Sequence, residues 1–277
     1  EQQWADVIHN HTYPALFPSV IENQLTKPLV TTLHAVYDYY VDNHIEAFPK
    51  TNYVALSESY KNKVKKGKIE KVVHNGIDTS LYSFKKEKQD YLFWLGRLPK
   101  AKNKDGEFMD PKGVRWAIEL ARKTNSNLAI SGPVEDIEFF EKDVRPFLND
   151  KIRFIGEPTT DQSVPINTIV DLFKNAKAFL MTINQEEPFG LVIAEAMSCG
   201  TPVIGFDRGS LSEVVIDGKT GFLIDPARGV DGLMEVLLKI GEIKPEDCRK
   251  HVEENFSVGR MVSDYEKLYE KLISDNK

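Results

Sequence analysis

Short apolar runs separated by amphipathic stretches set the rhythm of this chain. From Tyr91 onward the β-rich runs Tyr91 to Leu95, Leu128 to Ser131, Ile152 to Ile155, Ala178 to Ile183 and Pro202 to Phe206 alternate with segments of helical spacing. That alternation predicts a parallel sheet with helices on both faces. Pro111 opens a helix over Val114 to Arg122, and Pro188 opens another that Gly200 stops. The residues before Asp78 repeat the pattern more weakly, with strands near Asp6 to His9, Leu29 to Leu33, Tyr53 to Ser57 and Val72 to His74. The charged break Asp78 to Asp90 reads as a linker. After Pro245 two helices remain, and Val258 to Ile273 sets Met261, Tyr265, Leu268 and Leu272 at helical spacing. The fold class is therefore α/β: a doubly wound, Rossmann-like domain over 85–255 and a smaller domain over 1–84, with a last helix in 256–277 packing back towards the latter. In doubly wound sheets ligands sit beyond the carboxyl ends of the strands, which directs attention to the loops after Leu95, Ser131, Ile155 and Ile183.

Charge and cysteine usage narrow the function classes. The net charge of -6 argues against a nucleic-acid partner, which leaves a basic footprint. The two cysteines, Cys199 and Cys248, are far apart and outside any Cys-x-x-Cys pair, so neither a disulfide framework nor a zinc site is indicated. His9 and His11 share a strand face without an evident third ligand, and the expectation is no metal. No stretch approaches a membrane span, so the chain is expected to be cytoplasmic. Lysines at 61, 63, 65, 66, 68 and 71 form a run that suits weak contact with a membrane surface or, more simply, a solvated face.

Chemistry concentrates in Glu187 to Gly200. A helix opening near Pro188 with Gly190 in its first turn offers backbone N–H groups and the positive end of the dipole, a phosphate site. Glu195 lies inside the same helix between Ile193, Ala194, Ala196 and Met197. A carboxylate in such surroundings needs hydrogen-bond donors, and ribose hydroxyls or an arginine in a structural network would serve. Two cations join it. Arg97 follows Gly96 just after the Tyr91 strand, and Lys112 stands in the first turn of the next helix, where a positive charge opposes the dipole unless a bound diphosphate reverses the sign. Each alone reads more readily as a solvated surface cation, and it is their joint placement with the Pro188 helix that points to a diphosphate.

The chain resembles the glycosyl transferases group 1 family, retaining enzymes of the GT-B architecture that include glycogen synthases, sucrose synthases and mannosyltransferases. The resemblance is carried by Glu187 and Glu195 with seven residues between them, by Gly200-Thr201-Pro202-Val203-Ile204, by Gly209-Ser210-Leu211-Ser212-Glu213-Val214-Val215 and by Asp217-Gly218-Lys219-Thr220-Gly221-Phe222-Leu223. Gly96-Arg97-Leu98, Lys112-Gly113, Asn75-Gly76-Ile77-Asp78 and Leu33-His34 extend it over nearly the whole chain. It implies transfer of a sugar from a nucleoside diphosphate sugar, a uridine donor before guanosine diphosphate mannose, to an unidentified acceptor. No cofactor and no metal are implied. Arg97 and Lys112 would hold the diphosphate, Glu195 the ribose, and Glu187 the sugar hydroxyls. Phe189, Gly190 and Leu191 would offer amides, Gly96 and Asn75 would border the donor, and His34 would face the donor sugar.

Members of the family begin with a strand and a glycine-rich loop that do not appear here, and this sequence enters the pattern at Ala5-Asp6-Val7-Ile8-His9. A first domain lacking its front portion leaves a sheet edge that invites self-association. Lys100 to Asp110, between Arg97 and Lys112, is an insertion expected to form a mobile loop at the rim of the site. Two rival functions keep the fold: a non-catalytic nucleotide-sugar-binding module and a sugar-nucleotide epimerase. A P-loop at Gly218-Lys219-Thr220 is excluded because Glu213 stands where its first glycine belongs.

Overall fold

The computed structural model describes residues 4–12, 16–160 and 164–276. Glu1 and Lys277, the outer limits of the expected domains, lie outside them. The described residues form two compact units: 1–76 with 186–189 and 256–277, and 77–185 with 190–255. The division after Gly76 gives the segment expected as a linker to the second unit.

In the first unit β1 (Ile8–Asn10), β2 (Leu29–Leu33), β3 (Asn52–Ala55) and β4 (Ile69–Val72) pair in sequence order and in parallel. The expected fourth strand at Val72 to His74 lies earlier, because β4 is an edge strand whose charged Glu70 and Lys71 hide it from an apolar pattern. Helices α1 (Leu16–Ser19), α2 (Tyr39–Ala47) and α3 (Glu58–Lys63) fill the crossovers, α2 and α3 being capped by the side chains of Asp38 and Ser57. On one sheet face the carboxyl-terminal helix Val258–Asp275 buries Tyr265, Leu268 and Leu272 against Val30, Val54 and Val73. On the other face, Ile45 and Tyr60 pack with Leu33, Tyr53 and Ala55. The lysine run lies along α3 and β4 with carboxylate partners: Lys61 with Glu58, Lys63 with Glu186, Lys66 with Glu46, Lys68 with Glu70 and Lys71 with Asp264. Among the described residues no helix is long and apolar enough to cross a membrane.

The second unit holds β5 (Leu92–Leu95), β6 (Leu128–Ser131), β7 (Ile152–Ile155), β8 (Ala178–Met181), β9 (Val203–Phe206) and β10 (Gly221–Ile224), all parallel, in the spatial order β10-β9-β8-β5-β6-β7. The chain winds outward from β5 through β6 to β7, then returns to β8 on the other side and winds away to β10. This is the doubly wound order, with its switch point between β5 and β8. The connections carry α4 (Val114–Thr124), α5 (Ile137–Asp143), α6 (Ile166–Asn175), α7 (Leu191–Ser198), α8 (Leu211–Val214) and α9 (Gly229–Leu237), and α10 (Pro245–Asn255) packs on α7. Strands β5, β6, β8 and β9 are buried almost throughout, as expected of a sheet covered on both faces.

The segment 77–90 is a structural part of this unit rather than a linker. Lys88 donates from Nζ to the carbonyls of Lys174 and Cys199 and to Thr201 Oγ1, each at 3.0 Å. Arg249 Nη1 donates to Tyr82 O at 2.6 Å and to Ser198 O at 2.9 Å. Helix C-terminal carbonyls at Lys174, Ser198 and Cys199 thereby gain cationic donors, which the helix dipole favours. Burial pushes the Lys88 ammonium down to about 8.

Lys100 to Asp110, expected as a loop, folds as a small hairpin. Lys102 and Phe108 form an antiparallel bridge, Asn103 N donates to Glu107 O at 2.9 Å, and Met109 N to Ala101 O at 2.8 Å. Its last residue caps α4. The Asp110 carboxylate accepts from Gly113 N at 2.8 Å, Val114 N at 3.1 Å and Arg115 N at 2.8 Å. Asp110→Ala should therefore cost about 1–2 kcal/mol of stability, measured by urea denaturation, as for loss of a side-chain cap. A change within error would show that water replaces the carboxylate.

Candidate functional site

The crevice at the switch point is built from three chain segments of the second unit stitched together at the carboxyl ends of β5 and β8. Thr182 Oγ1 donates to Gly113 O at 2.6 Å, Asn184 N to Pro111 O at 3.0 Å, and Asn184 Nδ2 to Asp110 O at 2.7 Å. Gly113 has φ of +77°, and a Cβ placed there would lie 1.6 Å from Thr182 O. Only glycine permits this approach of the α4 entrance to the end of β8. The turn that carries Lys112 is thus fixed by backbone contact.

Lys112 stands two residues before the first residue of α4, not in its first turn. The helix dipole that was expected to oppose it is already met by Asp110. Arg97 lies in the loop after β5 and pairs with Glu135 in the loop after β6, at 3.3 Å. Its side chain is 64% exposed, so this is a surface pair of low energy that an anion can displace. Gly96 packs beside Trp94, whose Nε1 donates to Lys112 O at 3.3 Å.

The helix expected to open at Pro188 begins instead at Leu191. Gly190, in the left-handed conformation with φ of 83°, is its N-cap and supplies no side-chain cap. Ile193 N donates to Gly190 O at 2.9 Å, while no N-cap side chain meets the Leu191 and Val192 amides, the condition for an anion site. Glu195 sits one turn further along. Burial raises its carboxyl above the usual range, opposed by the hydroxyl of Tyr82. The polar neighbour of Glu195 is therefore a tyrosine from the segment 77–90, not the arginine of a structural network. Sequence patterning gave no sign of Tyr82, since it lies within a stretch that looked like a linker.

The structure divides the expected site residues between the units. Gly96, Arg97, Lys112, Gly190, Leu191 and Glu195 belong to the second unit, and His34, Asn75, Glu187 and Phe189 to the first. Phe189 is buried against His74 and Phe256, with ring centroids 5.9 and 5.6 Å away, so its side chain anchors the segment 186–189. His34, at the end of β2, faces a second histidine: its Nε2 lies 2.9 Å from His11 Nδ1. Among the described residues there is no group of three or more histidines, cysteines or carboxylates arranged to hold a metal ion.

Comparison with known proteins agrees with this architecture. The chain is similar to an uncharacterized glycosyltransferase of Methanocaldococcus jannaschii, 28% identical over 98% of this chain and 77% of that protein. A shorter stretch resembles the N-acetyl-alpha-D-glucosaminyl L-malate synthase of Bacillus anthracis, 33% identical over 47% of this chain and 33% of that protein. The chain also spans only 28% of a sucrose synthase of Denitrovibrio acetiphilus, at 31% identity over 73% of this chain. Among solved structures, the sucrose-phosphate synthase of Thermosynechococcus elongatus superposes with a TM-score of 0.78 at 18% identity, covering 98% of this chain and 74% of that one. The Anabaena protein HepE, solved with UDP and glucose, superposes with a TM-score of 0.74 at 19% identity, covering 97% and 78%. At these identities the two structures speak for the GT-B fold alone. The family model of the glycosyl transferases group 1 matches residues 82–255, the whole crevice-bearing unit but for its first few residues, and the chain belongs to that family.

Proposed function

We propose that this chain binds a nucleoside diphosphate sugar and transfers the sugar, with retention of anomeric configuration and without a metal, to an acceptor. The observation that carries the reading is helix α7. Its uncapped amino terminus suits a diphosphate, and Glu195 lies four residues beyond Leu191, or about 6 Å along the axis. That is the order of separation between a nucleotide's diphosphate and its ribose hydroxyls. One helix can thus grip both parts.

In this scheme the Gly190 and Leu191 amides and the Arg97 guanidinium receive the diphosphate, with Lys112 as a second cation. As the glycosidic bond breaks, negative charge grows on the departing diphosphate, and preorganised cations lower that barrier more than they stabilise the bound donor. The family resemblance assigns the sugar hydroxyls to Glu187 and a sugar contact to His34. HepE, similar in fold, was solved with UDP and UDP-glucose, which favours a uridine donor ahead of guanosine diphosphate mannose.

Calorimetry against uridine, guanosine and adenosine diphosphate sugars tests the reading. Binding of one of them in the micromolar to millimolar range is the expected result. Silence from all three would overturn it.

A further inference from the structure

Three histidines of the first unit form a row, His9 within β1 and His11 and His34 just beyond the ends of β1 and β2, with His11 touching both others. His9 commits both ring nitrogens to hydroxyls, Nδ1 with Tyr269 at 2.5 Å and Nε2 with Thr32 at 2.8 Å, and Thr32 meets Tyr265 at 2.8 Å. His11 lies over His9 with ring centroids 3.9 Å apart, and from there its Nδ1 reaches His34 Nε2 at 2.9 Å.

We propose that His11 is a positioning residue for His34: the Nδ1···Nε2 hydrogen bond holds the His34 ring in one orientation and one tautomer, leaving its Nδ1 to meet the transferred sugar. This assignment rests on the sugar contact given to His34 above. His34 is exposed, and an exposed imidazole with no such restraint samples several rotamers. His11 is equally exposed, but it is backed by His9, which the Tyr269 and Thr32 bonds fix from both sides. Restraint thus passes from the buried hydroxyl network through His9 and His11 to His34.

A nitrogen-to-nitrogen contact of this length requires one ring to donate and the other to accept. Two imidazolium rings would set N–H against N–H, so the pair holds a single proton between its facing nitrogens. The titratable groups that face the pair are His9 on β1 and Tyr265 on the carboxyl-terminal helix, and Tyr269 of the same helix meets His9. Burial keeps both tyrosine hydroxyls protonated beyond their usual range. Burial, with the nearby histidines, holds His9 down to about 4. Partial desolvation by the neighbouring side chains lowers His11, and the same effect followed by the charge of His11 lowers His34. The cluster is neutral near pH 7, the state in which His34 can be fixed as one tautomer.

Nitrogen-15 spectroscopy of the imidazoles in the full chain, with and without donor, tests this. The unsubstituted protein should show His34 as one tautomer. His11→Ala should give a tautomer mixture and raise the pH at which His34 titrates, because the like charge is gone. His11→Asn, whose carboxamide reaches the place of Nδ1, should restore the single tautomer. In parallel, calorimetry with uridine diphosphate and uridine diphosphate glucose, or the guanosine diphosphate and guanosine diphosphate mannose pair if the uridine pair is silent, separates the sugar's contribution from the nucleotide's. His11→Ala should lose about fivefold of the sugar-dependent affinity and none of the nucleotide affinity, and His11→Asn should keep both. In a His34→Ala background, His11→Ala should add nothing. An unaltered His34 tautomer in His11→Ala, or losses that simply add, would overturn the proposal. If the unsubstituted protein binds no nucleotide sugar, the donor reading itself fails, and the tautomer measurements still decide whether His11 holds His34.

Discussion

Gly113→Ala is expected to lower stability by roughly 3–5 kcal/mol, because it combines a left-handed backbone with a steric overlap that has no flexible exit. The methyl would sit 1.6 Å from the carbonyl oxygen of Thr182 and 2.4 Å from its carbonyl carbon. Neither atom can yield as a side chain end would. Moving the Gly113 turn outward would strain the bond from Thr182 Oγ1 to Gly113 O and those that join Asn184 to Pro111 and Asp110. Moving β8 would disturb its ladders with β5 and β9 in the middle of the sheet. For a unit of this size the thermal midpoint should fall by roughly 10 °C. A midpoint within a degree or two of the parent would mean that the turn relaxes freely, and that Lys112 is not held by this contact.

Glu195→Gln is expected to have opposite effects on the free and the liganded protein. In the free protein the Glu195 carboxyl titrates above its unfolded value because burial disfavours its charge. Between the unfolded and the folded pKa the native state holds more protons, so this group's contribution to stability falls as pH rises through that window. At neutral pH, above the unfolded value, Glu195 is thus a net cost, and glutamine, which carries no charge, should leave the free protein as stable or more so. Donor affinity should move the other way. Loss of charge-assisted bonds from two ribose hydroxyls should weaken nucleotide binding by about 1.5–3 kcal/mol. The parent should also lose affinity as pH falls through the raised carboxyl range, while the variant stays flat there. Calorimetry at several pH values together with denaturation of the unliganded pair would measure both. Unchanged affinity would remove Glu195 from the ribose site.

The sheet of the second unit was legible in the sequence chiefly because its four inner strands, β5, β6, β8 and β9, are buried on both faces and read as apolar runs. β10, Gly221–Ile224, escaped the strand reading although its first three residues fall within a family motif, since it begins with glycine and follows a turn-rich stretch. The start of α7 was misread by three residues because a proline followed by glycine fits a helix opening equally at either residue. What decides it is the left-handed backbone of Gly190, which local sequence does not encode. The relations that matter most at the site were beyond sequence altogether. Asp110 looked like the end of a surface insertion, Tyr82 like linker, and His11 like half of an unfinished metal pair. Each gains its meaning from a residue brought to it by folding, and His11 and His34 are 23 positions apart.

The parallel pairing of every strand in both sheets has a kinetic consequence. No ladder can start from a tight hairpin, so each pairing must wait for a crossover to close, and the central β5 to β8 ladder joins residues such as Leu92 and Ala178 that are far apart along the chain. Such long-range closure is paid in chain entropy before any contact rewards it, which makes for slow folding and prolonged exposure of unpaired strand edges. The arrangement that creates the crevice between β5 and β8 is therefore also the step most open to competition from aggregation while the chain is still incomplete.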